Sequence, residues 1–160
     1  GHPSEPYRSL GLAGLAADSR SPDVKEILEG MTRHPVSEAV YAEALRRRSD
    51  LCTVYENIFA EHSIAALLYP TVALLPPRLG AGDTVVLNGR AVPVFETSIR
   101  NTGPGSVAGM PAISIPAGKS STGLPIGLSL EGAAGTDRVL LGVAGAVARE
   151  LSATGSNRTA

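Results

Sequence analysis

Two short apolar runs near the middle of the chain organise the rest of the hydrophobic pattern. They cover residues 112–116 and 125–130, and Gly and Pro residues bound both of them. A polar connector at 117–123 separates the two runs, and a Gly/Ser-rich approach at 101–109 precedes them. Short apolar runs between turn formers are typical of strands buried on both faces. The pattern therefore predicts a pair of central, fully buried strands.

Apolar residues spaced three and four apart predict three helices around these strands. The first begins with Ser21 as its N-cap and Pro22 at its first helical position, which is a common helix start. The second is the longest and spans residues 37–61. The third opens at Thr136-Asp137 and is predicted to continue to residue 151.

A further apolar run at residues 64–69 predicts another strand, which stops at Pro70-Thr71. Because functional sites in α/β units gather at the carboxyl ends of strands, Tyr69, Pro70 and Thr71 are candidates to line a cleft. The alternative is that Pro70 only ends the strand. Farther along, Asn88-Gly89 lies between two alternating segments and predicts a two-residue β-hairpin.

These elements predict an α/β fold with a mixed central sheet covered by helices. We expect residues 1–21 to be an N-terminal arm or connector, 22–151 to form the α/β body, and 152–160 to be a flexible tail.

The amino-acid composition suggests that part of the surface is covered by a partner. The 160 residues are 43% hydrophobic and only 18% charged, which is apolar for a small domain. We therefore expect more polypeptide, or self-association, to cover part of the surface. The net charge of −1 gives no electrostatic reason to bind nucleic acid or an anionic membrane. No run approaches the length of a membrane span, and the single cysteine, Cys52, favours a cytoplasmic protein without disulfides.

Familiar catalytic motifs are incomplete. Gly118-Lys119-Ser120 resembles the end of a P-loop, but Ile113 stands where the first glycine of that motif belongs. Ser106 lacks the flanking glycines of a nucleophile elbow. Metal sites need three or four converging ligands, and the histidines are scattered, so we expect no metal and no cofactor. Cys52 lies in an apolar helix stripe and is interpreted as a core residue.

The central stretch carries a specific resemblance. SVAGMPAISIPAG, then GLPIGLSLEG and a Thr-Asp-opened helix, resembles the C-terminal part of the amidase signature family. Within that family, VFETSIRNTGPGS and the Gly-Thr-Asp-Arg opening are most similar to amidases of the mandelamide and indoleacetamide type. The resemblance implies that the α/β body is part of the larger amidase signature fold and that the full enzyme acts on a small-molecule amide.

The resemblance also implies where the chemistry resides. Family members use a Lys–Ser–Ser triad that lies in their N-terminal half. This sequence has no comparable Gly/Ser-rich run, and its only lysines, Lys25 and Lys119, lack the context of the triad. We therefore expect no catalytic residue here: the chain would be a C-terminal segment, inactive alone, that supplies pocket wall and sheet core beside the N-terminal half.

In the family, the segment that corresponds to residues 98–103 faces the substrate. This implies that Arg100, Asn101 and Thr102 bind substrate, and the strand-end argument adds Tyr69. The alternative is that Asn101 caps a turn and Arg100 pairs with Glu96. Ser106 stands where the family commonly has Asn, which weakens any role for that side chain.

Two other functional interpretations stay open at this point. The chain could be a truncated, non-catalytic binding or interaction module of the same fold. It could also be an amidotransferase subunit, which the near-neutral charge favours least because it indicates no tRNA surface.

Overall fold

The structure is a computed structural model that describes residues 11–156. Its helices are α1 (Gly11–Asp18), α2 (Pro22–Arg33), α3 (Glu38–His62), α4 (Val94–Ile99), α5 (Gly103–Ala108) and α6 (Asp137–Ser156). Its strands are β1 (Leu67–Pro70), β2 (Thr84–Leu87), β3 (Arg90–Pro93), β4 (Ala112–Lys119) and β5 (Pro125–Glu131). The mixture of helices and sheets confirms the predicted α/β class.

The chain divides into two compact units, and the second begins at Arg47. In the first unit, α1 and α2 pack on each other, and Ala16 is the buried residue of α1. The prediction that Ser21 and Pro22 start a helix is confirmed. α1 lies inside the segment predicted to be an arm, and residues 1–10 lie outside the described part of the chain.

The second unit begins within α3, whose bounds match the predicted long helix to one residue. Tyr55 and Phe59 of α3 are buried with Ala108 of α5 in one apolar cluster. The thiol of Cys52 packs against the same cluster and lies 3.4 Å from the carbonyl oxygen of Ala108. This confirms the interpretation of Cys52 as a core residue.

A three-stranded antiparallel sheet with the order β1-β5-β4 forms the centre of the second unit. Ile113 lies opposite Leu130, and Ser114 lies opposite Ser129. Because side chains alternate along a strand, the leucine and isoleucine side chains occupy one face and the two serines occupy the other. The first face packs against α6, where Ile115, Leu130, Leu140 and Ala144 form the core.

β4 and β5 are therefore the two predicted strands, but only β5 is central in the described sheet, and the prediction that both of their faces are buried is wrong for β4. Ala112, Ser114 and Pro116 of β4 are exposed, whereas Ile115 is buried. The reason is that α6 covers one face of the sheet, whereas the other face of β4 is open within the described residues.

The hairpin prediction is confirmed. β2 and β3 pair antiparallel around Asn88 and Gly89, whose φ angles are 51° and 77°. Positive φ at both central residues defines the turn type that suits a tight hairpin. Two other boundaries differ from the prediction: β1 begins three residues later than expected, and α6 continues to Ser156, into the segment predicted as a flexible tail.

Candidate active site

A cleft of about 650 Å³ opens between the loop that follows β1 and the two central strands. Its wall is largely apolar and comes from residues 72–77, including Val72, Leu74 and Leu75, and from Ile126 of β5. Its polar groups come from Thr71, Ser98 and Ser114. Apolar walls with a few placed polar groups are typical of sites for small molecules.

Three hydroxyl groups are joined where β1 ends, at the side of this cleft. Ser129 donates a hydrogen bond of 2.9 Å to Thr71 Oγ1, which lies 2.6 Å from the hydroxyl oxygen of Ser114. Ser129 is buried, whereas Ser114 is exposed. Gly127 leaves room for this group, because a Cβ at position 127 would lie 2.9 Å from both the Ser114 and the Thr71 hydroxyl oxygens. We call Thr71, Ser114 and Ser129 the hydroxyl cluster.

Thr71→Val should destabilise the second unit by about 2 kcal/mol, because it leaves the buried Ser129 hydroxyl without its acceptor at nearly constant volume. Adding Ser129→Ala should recover most of that loss, because both partners are then absent. Urea unfolding of the two single variants and the double variant measures this. A double variant whose loss equals the sum of the two single losses would contradict the interpretation.

None of the four sequence-predicted site residues is among those that line the cleft. Asn101 Nδ2 donates a 2.8 Å hydrogen bond to the carbonyl oxygen of Pro70, which ties the start of α5 to the end of β1. Arg100 is exposed after α4 and forms no ion pair with Glu96 in the described chain. Thr102 Oγ1 lies 3.4 Å from the carbonyl oxygen of Ile99.

Tyr69 shares a register row with Ser129 and Ser114, but its hydroxyl lies near Glu131, away from the cleft lining. Thr71, which was only a cleft candidate, does line the cleft. The structure therefore brings Asn101 and the end of β1 together and leaves Arg100 facing solvent.

A buried carboxyl lies at the other end of this sheet face. Glu131 is the last residue of β5 and is only 2% exposed. Burial raises its pKa above the ordinary value, and the nearby hydroxyls of Tyr55 and Tyr69 oppose that shift. The Tyr69 hydroxyl is buried near Glu131 but has no hydrogen-bond partner within residues 11–156.

The same surroundings raise the pKa values of both phenols. Burial, followed by the neighbouring Glu131 charge, raises the pKa of Tyr55 to about 12. Burial and the Glu131 charge also raise the pKa of Tyr69. These three groups, which come from α3, β1 and β5, form what we call the Glu131 cluster.

Comparison with known proteins assigns the family. The sequence model of the Amidase family matches residues 12–141, which is most of the chain. The chain belongs to the amidase family. This confirms the resemblance that the central stretch carries.

Individual relatives agree with this assignment. The amidase chain is 32% identical over 146 residues to an indoleacetamide hydrolase of Agrobacterium vitis, a match that covers 90% of the chain and 31% of the relative. It is 36% identical over 142 residues to a mandelamide hydrolase of Pseudomonas putida, covering 81% of the chain and 27% of the relative. A crystal structure of an amidase superimposes with a TM-score of 0.67 at 27% identity, covering 88% of the chain and 34% of that structure.

The amidase chain thus spans about 30% of the length of the curated relatives it matches. Within residues 11–156, no three His, Cys, Asp or Glu side chains converge as metal ligands would. In the same residues, no helix has the length and apolar character needed to cross a bilayer.

Sequence reasoning missed Ser114, Ser129 and Glu131. The two serines interrupt otherwise apolar strands, and the acid is the last residue of β5. Polar residues inside buried strands are the signal that could have found them, because such groups need partners on the same sheet face.

Proposed function

We propose that this chain is the carboxyl-terminal segment of an amidase that hydrolyses the C–N bond of a small carboxamide. In this proposal it supplies the sheet core and one wall of the substrate cleft, and a Lys–Ser–Ser triad lies in the N-terminal half of the enzyme. One observation carries the proposal: the family match runs through most of the chain, yet the chain spans only about 30% of its relatives.

The chemistry of the cleft agrees with a binding role. A serine hydroxyl is a weak nucleophile until a neighbouring base takes its proton. The Ser114 hydroxyl is hydrogen-bonded to Thr71. The residues that line the cleft include no lysine or histidine that could act as that base. The hydroxyl cluster therefore suits hydrogen bonding to a polar, uncharged substrate group, while the reacting groups come from elsewhere in the enzyme.

The apolar wall supports an apolar acyl group on the substrate. Val72, Leu74, Leu75 and Ile126 present hydrocarbon to the cleft. In an arylacetamide, the aromatic ring would pack against this wall and the carboxamide would hydrogen-bond to the hydroxyl cluster. The matched relatives are named for two such compounds, indoleacetamide and mandelamide.

The sequence-predicted binding residues contribute to this proposal in different ways. Arg100 is exposed after α4 and is available as a donor to the substrate. Asn101 attaches the start of α5 to the end of β1, the strand that contains Tyr69, and Thr102 directly precedes α5. A cytoplasmic location remains a prediction.

Surface exposure favours a covering partner over a stand-alone module. Phe95 is 70% exposed, Leu68 57% and Val107 54% in the second unit. Together with the apolar composition of the chain, this exposure supports a covering partner. The N-terminal half of the amidase is the partner that this proposal assigns to them; self-association is the alternative.

An ammonia-release assay tests the proposed function. The 160-residue chain should release no ammonia from indoleacetamide or mandelamide, whereas the polypeptide extended upstream through its reading frame should, and a serine-directed reagent should abolish that activity. Hydrolysis by the 160 residues alone, blocked by the same reagent, would contradict the proposal. A monodisperse, cooperatively melting 160-residue monomer whose extended form is also inactive would favour the binding module.

The extended polypeptide also allows a test of the cleft. Ser114→Ala should raise KM about tenfold, because losing one well-placed hydrogen bond to an uncharged group costs about 1.4 kcal/mol. Ser121→Ala, an exposed change in the connector between β4 and β5, is the matched control and should leave KM unchanged. Equal KM values for both variants would remove Ser114 from the binding site.

A further inference from the structure

Glu131 is a buried acid without a cation. It is 2% exposed, and neither of the ion pairs found among residues 11–156 includes it. An isolated carboxylate in an apolar interior is costly, so a buried one needs polar partners. The polar side chains near it are the hydroxyls of Tyr55 from α3 and Tyr69 from β1. The cost of burying this carboxyl directs attention to what it contacts.

The Glu131 carboxyl presses on α5. If position 105 carried a Cβ, that atom would lie 1.3 Å from Oε1 and 2.5 Å from Cδ of Glu131. The carbonyl oxygen of Gly105 accepts hydrogen bonds from the backbone N–H groups of Gly109 and Met110, at 2.8 and 2.9 Å. The position of the carboxyl thus sets how closely α5 and its C-terminal turn approach β5.

The same contacts lead to the edge of the cleft. Tyr69 directly precedes Pro70, whose carbonyl oxygen accepts the Asn101 hydrogen bond, and Asn101 lies two residues before α5. Two contacts therefore join this region to the sheet: Asn101 bonds to the end of β1, and Gly105 packs against Glu131 of β5. Residues 101–106, which we call the approach segment, are thus attached to the sheet near both of their ends.

We propose that Glu131 is a positioning residue, whose buried carboxyl, packed against Gly105 of α5, fixes the approach segment against the end of β1. Its consequence for amide hydrolysis rests on the proposed function, whereas the positioning itself does not. An apolar residue at 131 would fill the space but would offer neither phenol an acceptor.

The arrangement makes the second unit sensitive to pH. The titratable groups that face the carboxyl are Tyr55 on α3 and Tyr69 on β1, and α5 presents only Gly105 there. Burial raises the pKa of Glu131 from its ordinary 4.5. The folded state therefore binds the proton more tightly than the unfolded state, so this stabilising contribution is complete below pH 4.5 and is lost as pH rises through the folded pKa.

Tyrosine titration tests the proposal on the purified chain, without substrate. The chain has four tyrosines, and labelling their Cζ atoms with ¹³C gives an NMR signal that reports phenol ionisation. Tyr55→Phe and Tyr69→Phe assign the two signals. In the unaltered chain the Tyr55 signal should titrate at about 12. In Glu131→Gln its pKa should fall but stay above 10, because the charge is gone and burial remains; Glu56→Gln, an exposed change on the same helix, should leave it unchanged.

Hydrogen exchange then tests positioning. The Gly109 and Met110 amides should exchange at least tenfold faster in Glu131→Ala, and Glu131→Gln, which keeps the shape and an acceptor oxygen, should restore slow exchange. A Tyr55 titration unaffected by Glu131→Gln would overturn the proposal, as would alanine and glutamine variants that exchange alike. If the alanine variant does not fold, the glutamine titration still decides. Because neither readout uses catalysis, an inactive extended polypeptide would reject the proposed function and leave this proposal standing.

Discussion

Gly105→Ala should destabilise the second unit by about 4 kcal/mol, the largest loss that we expect from adding one carbon atom. The new Cβ would lie 1.3 Å from Oε1 of Glu131. The carboxyl cannot step aside freely, because Glu131 is only 2% exposed. Overpacking and the displacement of a buried polar group therefore act together. Urea unfolding followed by circular dichroism measures the change.

Gly142→Ala is the matched control. Gly142 lies in the interior of α6, and no heavy atom lies within 4 Å of the position that its Cβ would occupy. Alanine is the better helix former by about 1 kcal/mol, so this variant should be slightly more stable than the unaltered chain. Combining Gly105→Ala with Glu131→Ala should recover part of the loss, because the obstructing carboxyl is removed. A cost below about 1 kcal/mol for Gly105→Ala would show that the carboxyl is not held in place.

Local signals in the sequence were sufficient to predict most of the helices and strands. The α3 boundaries follow from helical spacing, and the β2–β3 turn follows from Asn88-Gly89, whose backbone angles few other residue pairs adopt easily. The boundaries that differed are those with a weak local signal. The apolar run at 64–69 does not indicate where the turn ends and where the strand begins. The polar residues after Leu151 do not prevent another turn of helix.

The candidate site depended on long-range pairing, which spacing along the chain does not reveal. Ser129 donates a hydrogen bond to Thr71, which is 58 residues away in the sequence. In the sequence alone, each of them is an ordinary polar residue. Only the register of β1, β5 and β4 places them beside Ser114. The prediction that sites gather at strand ends was enough to select Thr71, because that inference needs no register.

Tyr69 shows how a predicted site residue can serve the site indirectly. The strand-end argument placed it at the substrate. In the structure its hydroxyl lies near Glu131, an acid that the sequence pattern gave no reason to pair with it. Because Glu131 follows two positions after Ser129 on the same face, one sheet face carries both the hydroxyl cluster and the Glu131 cluster.

Leu130→Ala should cost about 4 kcal/mol, as large-to-small changes at fully buried leucines do when the surroundings cannot collapse into the space. Leu130 is 1% exposed and lies in the central strand of the sheet. It packs with Ile115, Leu140 and Ala144 between the sheet and α6. Neighbouring strands on both sides prevent β5 from shifting to fill the cavity. The loss is measured as the decrease in the free energy of unfolding in urea.

Leu141→Ala is the control for Leu130→Ala, because Leu141 is 60% exposed on α6 and should cost less than about 0.5 kcal/mol. The contrast also separates the two faces of β5. Leu130 faces α6, whereas Ser129 and Glu131 face the opposite side, so the folded Leu130→Ala variant should still titrate Tyr55 at about 12. A lowered Tyr55 pKa in that variant would show that the core packing, rather than the Glu131 carboxyl itself, holds the phenols in place.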